Sequence, residues 1–122
     1  MLKKIRLELA RDRDFPEGSR NYGYEFAVPL DGDGHIDASE WAKIRGHCRV
    51  RRFRPGEKDD VGHVVRRPGG SWAFHYDIAT DDNEDDESGY RFANHAFIPG
   101  EYVSVKEEGR LRTFRVARVA GV

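Results

Sequence analysis

The chain has 122 residues, 38% hydrophobic and 35% charged, and its 21 Lys and Arg against 22 Asp and Glu leave a formal net charge of -1 at pH 7. That length suits one domain, residues 1–122, with one core, and the near-neutral balance argues against a generally basic nucleic-acid binder while leaving room for local patches. Cys48 is the one cysteine, which excludes an intrachain disulfide and predicts a reduced thiol; charges interrupt the first nine residues and no segment reaches membrane-spanning length, so a cytoplasmic protein with no membrane partner is expected.

Ile5, Leu7 and Leu9 alternate with Lys4, Arg6 and Glu8, the pattern of a half-buried strand. Residues 11 to 20 carry Asp12, Asp14, Pro16 and Gly18 and read as a loop. Tyr22, Tyr24, Phe26 and Val28 then share one face of a second strand, as core residues. Residues 37 to 47 form the one expected helix: Asp37 and Glu40 have capping-box spacing, and Trp41, Ile44 and Cys48 recur at helical intervals. Trp41 is its anchor, and Cys48 reads as a small buried hydrophobe at its end.

Residues 50 to 53 make a short arginine-laden strand. The clearest hairpin pairs residues 61–67 with 71–78 through Pro68-Gly69-Gly70, and puts Trp72, Phe74, Tyr76 and Ile78 on the core face with Ala73, His75 and Asp77 on the other. Residues 79 to 89 are strongly acidic and predict a flexible, solvated loop. Residues 90 to 97 resume a β-like pattern, and residues 101–106 pair with 111–119 in a last hairpin. Six or seven short strands and one helix make a mainly β fold of the α+β kind, an antiparallel and partly open small barrel or strongly curled sheet. Such barrels host unrelated functions.

The phrases Gly34-His35-Ile36-Asp37-Ala38 with Trp41, Arg67-Pro68-Gly69-Gly70-Ser71-Trp72-Ala73-Phe74 and Pro99-Gly100-Glu101-Tyr102-Val103-Ser104-Val105 resemble those of a group of small uncharacterised bacterial proteins. The resemblance spans nearly the whole chain. It implies a bacterial cytoplasmic origin and brings no activity, cofactor or catalytic residue.

Two patterns point to divalent metal. Asp31, Asp33, Gly34 and Glu40 fall on the third, fifth, sixth and twelfth positions of a calcium loop, but Pro29 stands where the first carboxylate belongs, so binding there is expected to be weak or absent. If Pro68 to Gly70 make a three-residue loop, His63 lies opposite His75, and Asp77 or His95 could complete a site for a borderline metal. The plainer alternatives are a polar turn before a capped helix and histidines on a solvated face. No resident cofactor is expected.

Charge is segregated along the chain. Arg49, Arg51, Arg52, Phe53, Arg54, Arg66 and Arg67 lie in one basic stretch, followed by the acidic run that ends at Glu87. The favoured functional reading is a non-enzymatic binding or accessory domain that docks an acidic protein or ligand through the arginine-rich strand. Guanidinium groups beside Phe53 also suit single-stranded nucleic acid, a reading the acidic run opposes. The same segregation allows self-association, or an acidic loop that shields the arginines within one molecule. No nucleophile elbow, phosphate loop or dinucleotide-binding glycine pattern indicates an enzyme.

Overall fold

Alternation along a strand sends every second side chain to one face, and here that face closes on itself. The computed structural model describes residues 1–77 and 86–122. Eight antiparallel strands follow in chain order round a closed barrel, the last pairing with the first: β1 (Leu2–Leu9), β2 (Ser19–Pro29), β3 (Arg49–Phe53), β4 (Asp60–Arg66), β5 (Trp72–Tyr76), β6 (Glu87–Tyr90), β7 (Tyr102–Glu107) and β8 (Arg110–Gly121). The helix α1 (Ala38–Ile44) follows β2 and runs into a 3-10 turn over Arg45–His47. The expected mainly β barrel with one helix is therefore the fold, and its closure leaves no free sheet edge.

The inward set is nearly continuous. Ile5, Leu7, Tyr24, Phe26, Val28, Val50, Val64, Trp72, Phe74, Val105, Phe114 and Val116 are all buried. Aromatic rings fill the middle: Phe74 lies 5.0 Å from Tyr24 and 5.2 Å from Phe26, and Phe26 meets Phe97 edge-on at 5.8 Å. The interior is a packed core rather than a ligand chamber.

One end, here called the lower, is closed by α1 and by Phe92 and Phe97 from the β6–β7 connection. Asp37 caps α1 by accepting from the Glu40 amide at 3.1 Å. Trp41 anchors the helix: its Nε1 donates to Val64 O at 3.0 Å, and its ring meets Trp72 edge-on at 5.2 Å. Cys48 is fully buried, and burial pushes its thiol up to about 11, so the thiolate that would react is disfavoured.

The β4–β5 hairpin closes through the three-residue loop. Arg67 N donates to Ser71 O at 2.8 Å, and Gly69 and Gly70 hold positive φ of 91° and 87° that side-chain-bearing residues avoid. Trp72, Phe74 and Tyr76 are buried as expected, while Ala73, from the alternate set, is also covered at 2% exposure.

Three expectations need correction. Glu87, Ser88 and Gly89 belong to β6 rather than to an acidic loop, because Phe74 pairs with Glu87 and Trp72 with Gly89; Ile78 and the acidic residues up to Asp85 lie outside the described residues. The stretch 90–97 is not a strand: β6 stops at Tyr90, and a 3-10 turn over Phe92–Asn94 turns Phe92 onto Gly89, where a Cβ would stand 2.4 Å from the ring. Closure also takes eight strands, the sequence pattern having merged β6 with its neighbours.

Trp72→Ala is expected to cost about 3 to 5 kcal/mol, since it empties the contact between the barrel floor and α1. Urea unfolding measures this, and a cost below about 1 kcal/mol would contradict the packing described.

Candidate functional site

At the other, upper end, where the β1–β2, β3–β4 and β7–β8 connections lie, the inward alternation carries on in polar residues. On β3 and just beyond, Val50 is followed inward by Arg52 and Arg54. On β7, Val103 and Val105 are followed by Glu107, and on β8, Arg112 precedes Phe114 and Val116. Tyr22, Asp60, Tyr76 and Glu87 add their side chains from β2, β4, β5 and β6. Closure therefore gathers these groups at one mouth.

Two glutamates form its centre, both only 4% exposed. Glu87 accepts from Tyr76 Oη at 2.6 Å, Arg52 Nη1 at 2.9 Å and Arg54 Nη2 at 3.4 Å, and lies 2.9 Å from Tyr24 Oη. Glu107 is held by Tyr22 Oη at 2.6 Å, by Tyr24 Oη, by Arg54 Nη2 at 3.4 Å and by Arg112 Nε at 3.5 Å. Guanidinium groups also stack on the rings, Arg52 over Tyr76 at 4.6 Å and Arg54 over Tyr22 at 5.0 Å.

Burial dominates the electrostatics. It raises the Glu87 carboxyl, an effect that the Tyr76 hydrogen bond and the Arg52 charge only partly offset. Burial likewise holds the Tyr22, Tyr24 and Tyr76 hydroxyls well above the usual phenol range, with the adjacent carboxylates adding to it. Arg52 would be lowered by its own burial, yet Glu87 and Asp60 keep it above the ordinary arginine value.

The rim contains a cavity of about 120 Å³ lined by Tyr22, Arg54, Glu107, Glu108, Arg110 and Arg112. Arg54, one of these lining residues, has its Nε buried without a hydrogen-bond partner among the described residues. Arg112 reaches Asp12 at 2.6 Å and Asp14 at 3.0 Å, and Arg110 reaches Asp14 at 3.2 Å, tying the β1–β2 loop to the mouth. A larger groove of about 710 Å³ runs beside Glu8, Ser19, Tyr102 and Arg115, but apart from Leu9 its lining is half-buried or exposed. The smaller space is where buried ionisable chemistry collects.

The basic strand is divided by the alternation. Arg52 and Arg54 face the mouth, whereas Arg49, Arg51 and Phe53 face outward. Arg49 donates to Asp77 at 3.1 Å, and Arg51 is held by Glu25 and by Asp59 at 2.8 Å. The Phe53 ring is covered by the guanidinium groups of Arg6 and Arg51, at 4.5 and 5.0 Å, and is only 7% exposed, which leaves no open face for a stacked base. Arg67 pairs with Asp86, and Arg66 is exposed at the lower end with its guanidinium 5.7 Å from the Trp72 ring. These seven residues do not form one groove.

His63 does lie opposite His75, as the three-residue loop requires. Each has its own carboxylate, His63 Nδ1 at 3.6 Å from Asp77 and His75 Nδ1 at 2.7 Å from Asp86, and Arg49 Nη1 sits 3.2 Å from His63 Nε2. Asp31 Oδ1 accepts from the Asp33 and His35 amides at 2.9 and 3.0 Å, which makes the residue 31–36 segment a self-bonded turn, while Glu40 sits on α1 beside Lys43. Among the described residues, no three His, Cys, Asp or Glu side chains gather as metal ligands.

Of the mouth residues, Tyr22, Tyr24 and Tyr76 were expected only as core, and Glu107, Arg110 and Arg112 were not singled out. The available signal was continuation: on β2, β3, β4, β5, β7 and β8 the apolar inward set ends in a residue of the same parity that can ionise or hydrogen-bond, whereas on β1 it ends in Leu9.

Two measurements probe these networks. Tyr76→Phe removes a donor from the buried Glu87 and is expected to cost about 1 to 3 kcal/mol; an unchanged unfolding midpoint would contradict the bond. On the outer wall, burial alone would raise Glu25, but hydrogen bonds from Arg51 and Arg6 more than offset it and leave the carboxyl lowered. A lowered carboxyl contributes stability above its unfolded pKa of about 4.3, and that contribution is lost as pH falls through the folded value. Glu25→Gln should therefore shrink the loss of stability between about pH 6 and pH 3, and an equal loss in both proteins would refute the assignment. No family model, curated protein or solved structure matches this chain.

Proposed function

We propose that this chain is a binding domain that receives an acidic ligand, through a carboxylate, sulfate or phosphate group, at the upper mouth of the barrel. The observation that carries the reading is Arg54 Nε, a buried donor with no partner among the described residues, on a side chain that lines with Arg110 and Arg112 a cavity of about 120 Å³. A buried donor left unsatisfied is costly, and a turn of the Arg54 side chain toward the cavity would offer Nε to an oxyanion held there. Guanidinium groups offer planar paired donors that fit such anions. The space suits a head group rather than a whole drug-sized molecule, whose pockets run to several hundred Å³. Arg54 belongs to the basic stretch in which the sequence places an acidic partner, so the reading keeps that chemistry and moves it from the outer strand face to the mouth. Arg49 and Arg51 outside, like Arg110 and Arg112 at the mouth, are paired with carboxylates of the same molecule; what sets the mouth apart is the unpartnered Arg54 Nε beside an enclosed space.

Sulfate is a suitable probe, because its charge does not change near neutral pH. Calorimetric titration at low ionic strength is expected to show one saturable site that weakens with salt. Arg110→Gln should reduce affinity about tenfold or more, the loss of one charge-assisted contact, without lowering thermal stability, since Arg110 is a rim side chain and exposed pairs contribute little. Arg54→Gln should abolish binding. Absence of sulfate binding, or equal affinity in Arg110→Gln, would overturn the proposal.

A further inference from the structure

The phenol of Tyr24 lies between two buried carboxylates. Its Oη is 2.9 Å from Glu87 Oε1 and is also within hydrogen-bond distance of Glu107 Oε2. A phenol carries one proton and can donate once. If Glu87 and Glu107 were both ionised, one of the two contacts would set a lone pair against a lone pair in a buried site. The other donors are already assigned: Tyr76 Oη and Arg52 Nη1 to Glu87, and Tyr22 Oη and Arg112 Nε to Glu107.

The charge balance of the mouth also favours one bound proton. Among the described residues, the connected network at the mouth holds five carboxyls, Asp12, Asp14, Asp60, Glu87 and Glu107, and four guanidinium groups, Arg52, Arg54, Arg110 and Arg112. One proton on a carboxyl makes the network neutral. The direction in which burial moves Glu87 agrees with this.

We propose that Glu87 and Glu107 share one proton across Tyr24 Oη at neutral pH, and that this proton must be in place for an anion to occupy the mouth cavity. Proton loss puts a second carboxylate against Arg54 and Arg112, the groups the anion needs, and Glu107 itself lines the cavity. Anion binding and carboxyl ionisation therefore compete for the same guanidinium groups. The proton belongs to the trio as a unit rather than to one residue. Groups facing it are Tyr22 from β2, Arg52 from β3 and Arg54 beyond it, Asp60 from β4 through Arg52, Tyr76 from β5, and Arg112 from β8, which carries the charges of Asp12 and Asp14. Only the coupling rests on the acidic-ligand reading above; the shared proton stands on geometry alone.

The test has two arms. In protein labelled with carbon-13 at the glutamate carboxyls, the wild-type spectrum at neutral pH is expected to show one glutamate carbon in the protonated range or two displaced part-way toward it, titrating only at higher pH and absent from Glu87→Gln. A wild-type spectrum with every glutamate carbon ionised at neutral pH overturns the shared proton, whether or not any variant folds. In the second arm, sulfate affinity is measured as pH rises, in buffers of differing ionisation enthalpy. Affinity should fall by up to about tenfold per pH unit above the pKa of the trio, with up to one proton taken up per sulfate bound. Sulfate binding that ignores pH overturns the coupling and leaves the anion site standing; no sulfate binding at any pH removes the site, and the carboxyl spectrum still decides the proton.

Discussion

Closure of the barrel is the constraint from which the rest follows. Once β1 pairs with β8, every inward-facing side chain on eight strands must share a single interior, and none can escape by lying on a free edge. Aromatic rings occupy the middle and the lower end. The inward positions nearest the upper rim are then the only ones where polar groups can keep partial contact with water while remaining on the inner face.

The composition of that rim is costly to arrange. Burying Glu87 and Glu107 removes two carboxyls from water, and such groups are tolerated only when paired and hydrogen-bonded. Three phenols and several guanidinium groups supply the bonds, and each long side chain also lays its apolar part or its ring against a neighbour. Packed apolar residues of similar volume would serve stability as well or better. A network of this kind is more readily understood as part of a site than as a staple, which is why the binding reading is placed there rather than on the exposed pairs of the outer wall.

The outer wall shows the opposite economy. Arg49, Arg51 and Arg6 find their carboxylates in Asp77, Asp59 and Glu25 on the same face, so the basic stretch is largely neutralised within the molecule. Asp86 and Glu87, at the end of the acidic run, take part in that neutralisation by pairing with Arg67, Arg52 and Arg54. Charge that looks segregated along the chain is intermixed in space.

What the sequence by itself determined is whatever depends on neighbours in the chain. Alternation marks Ile5 to Leu9, Tyr22 to Val28 and Trp72 to Tyr76 as half-buried strands, Asp37 with Trp41 marks a capped and anchored helix, and Pro68-Gly69-Gly70 marks a hairpin turn, whose three-residue closure and the His63–His75 register that follows from it were decided by the structure. Those signals are local, because period, cap and turn are properties of a few consecutive residues. The four-residue strand β6 was hidden by the acid-rich composition before it, and Phe92 and Phe97 looked like strand residues because burial at the barrel floor needs apolar side chains whatever the backbone does. Only the tertiary structure decided which residues make the mouth. Glu87 and Glu107 lie 63 and 83 positions along the chain from Tyr24, whose phenol they share, and Arg52 stands beside Arg51 in sequence yet on the opposite wall. Strand alternation separates such neighbours, and barrel closure joins such strangers; neither can be read from charge along a line.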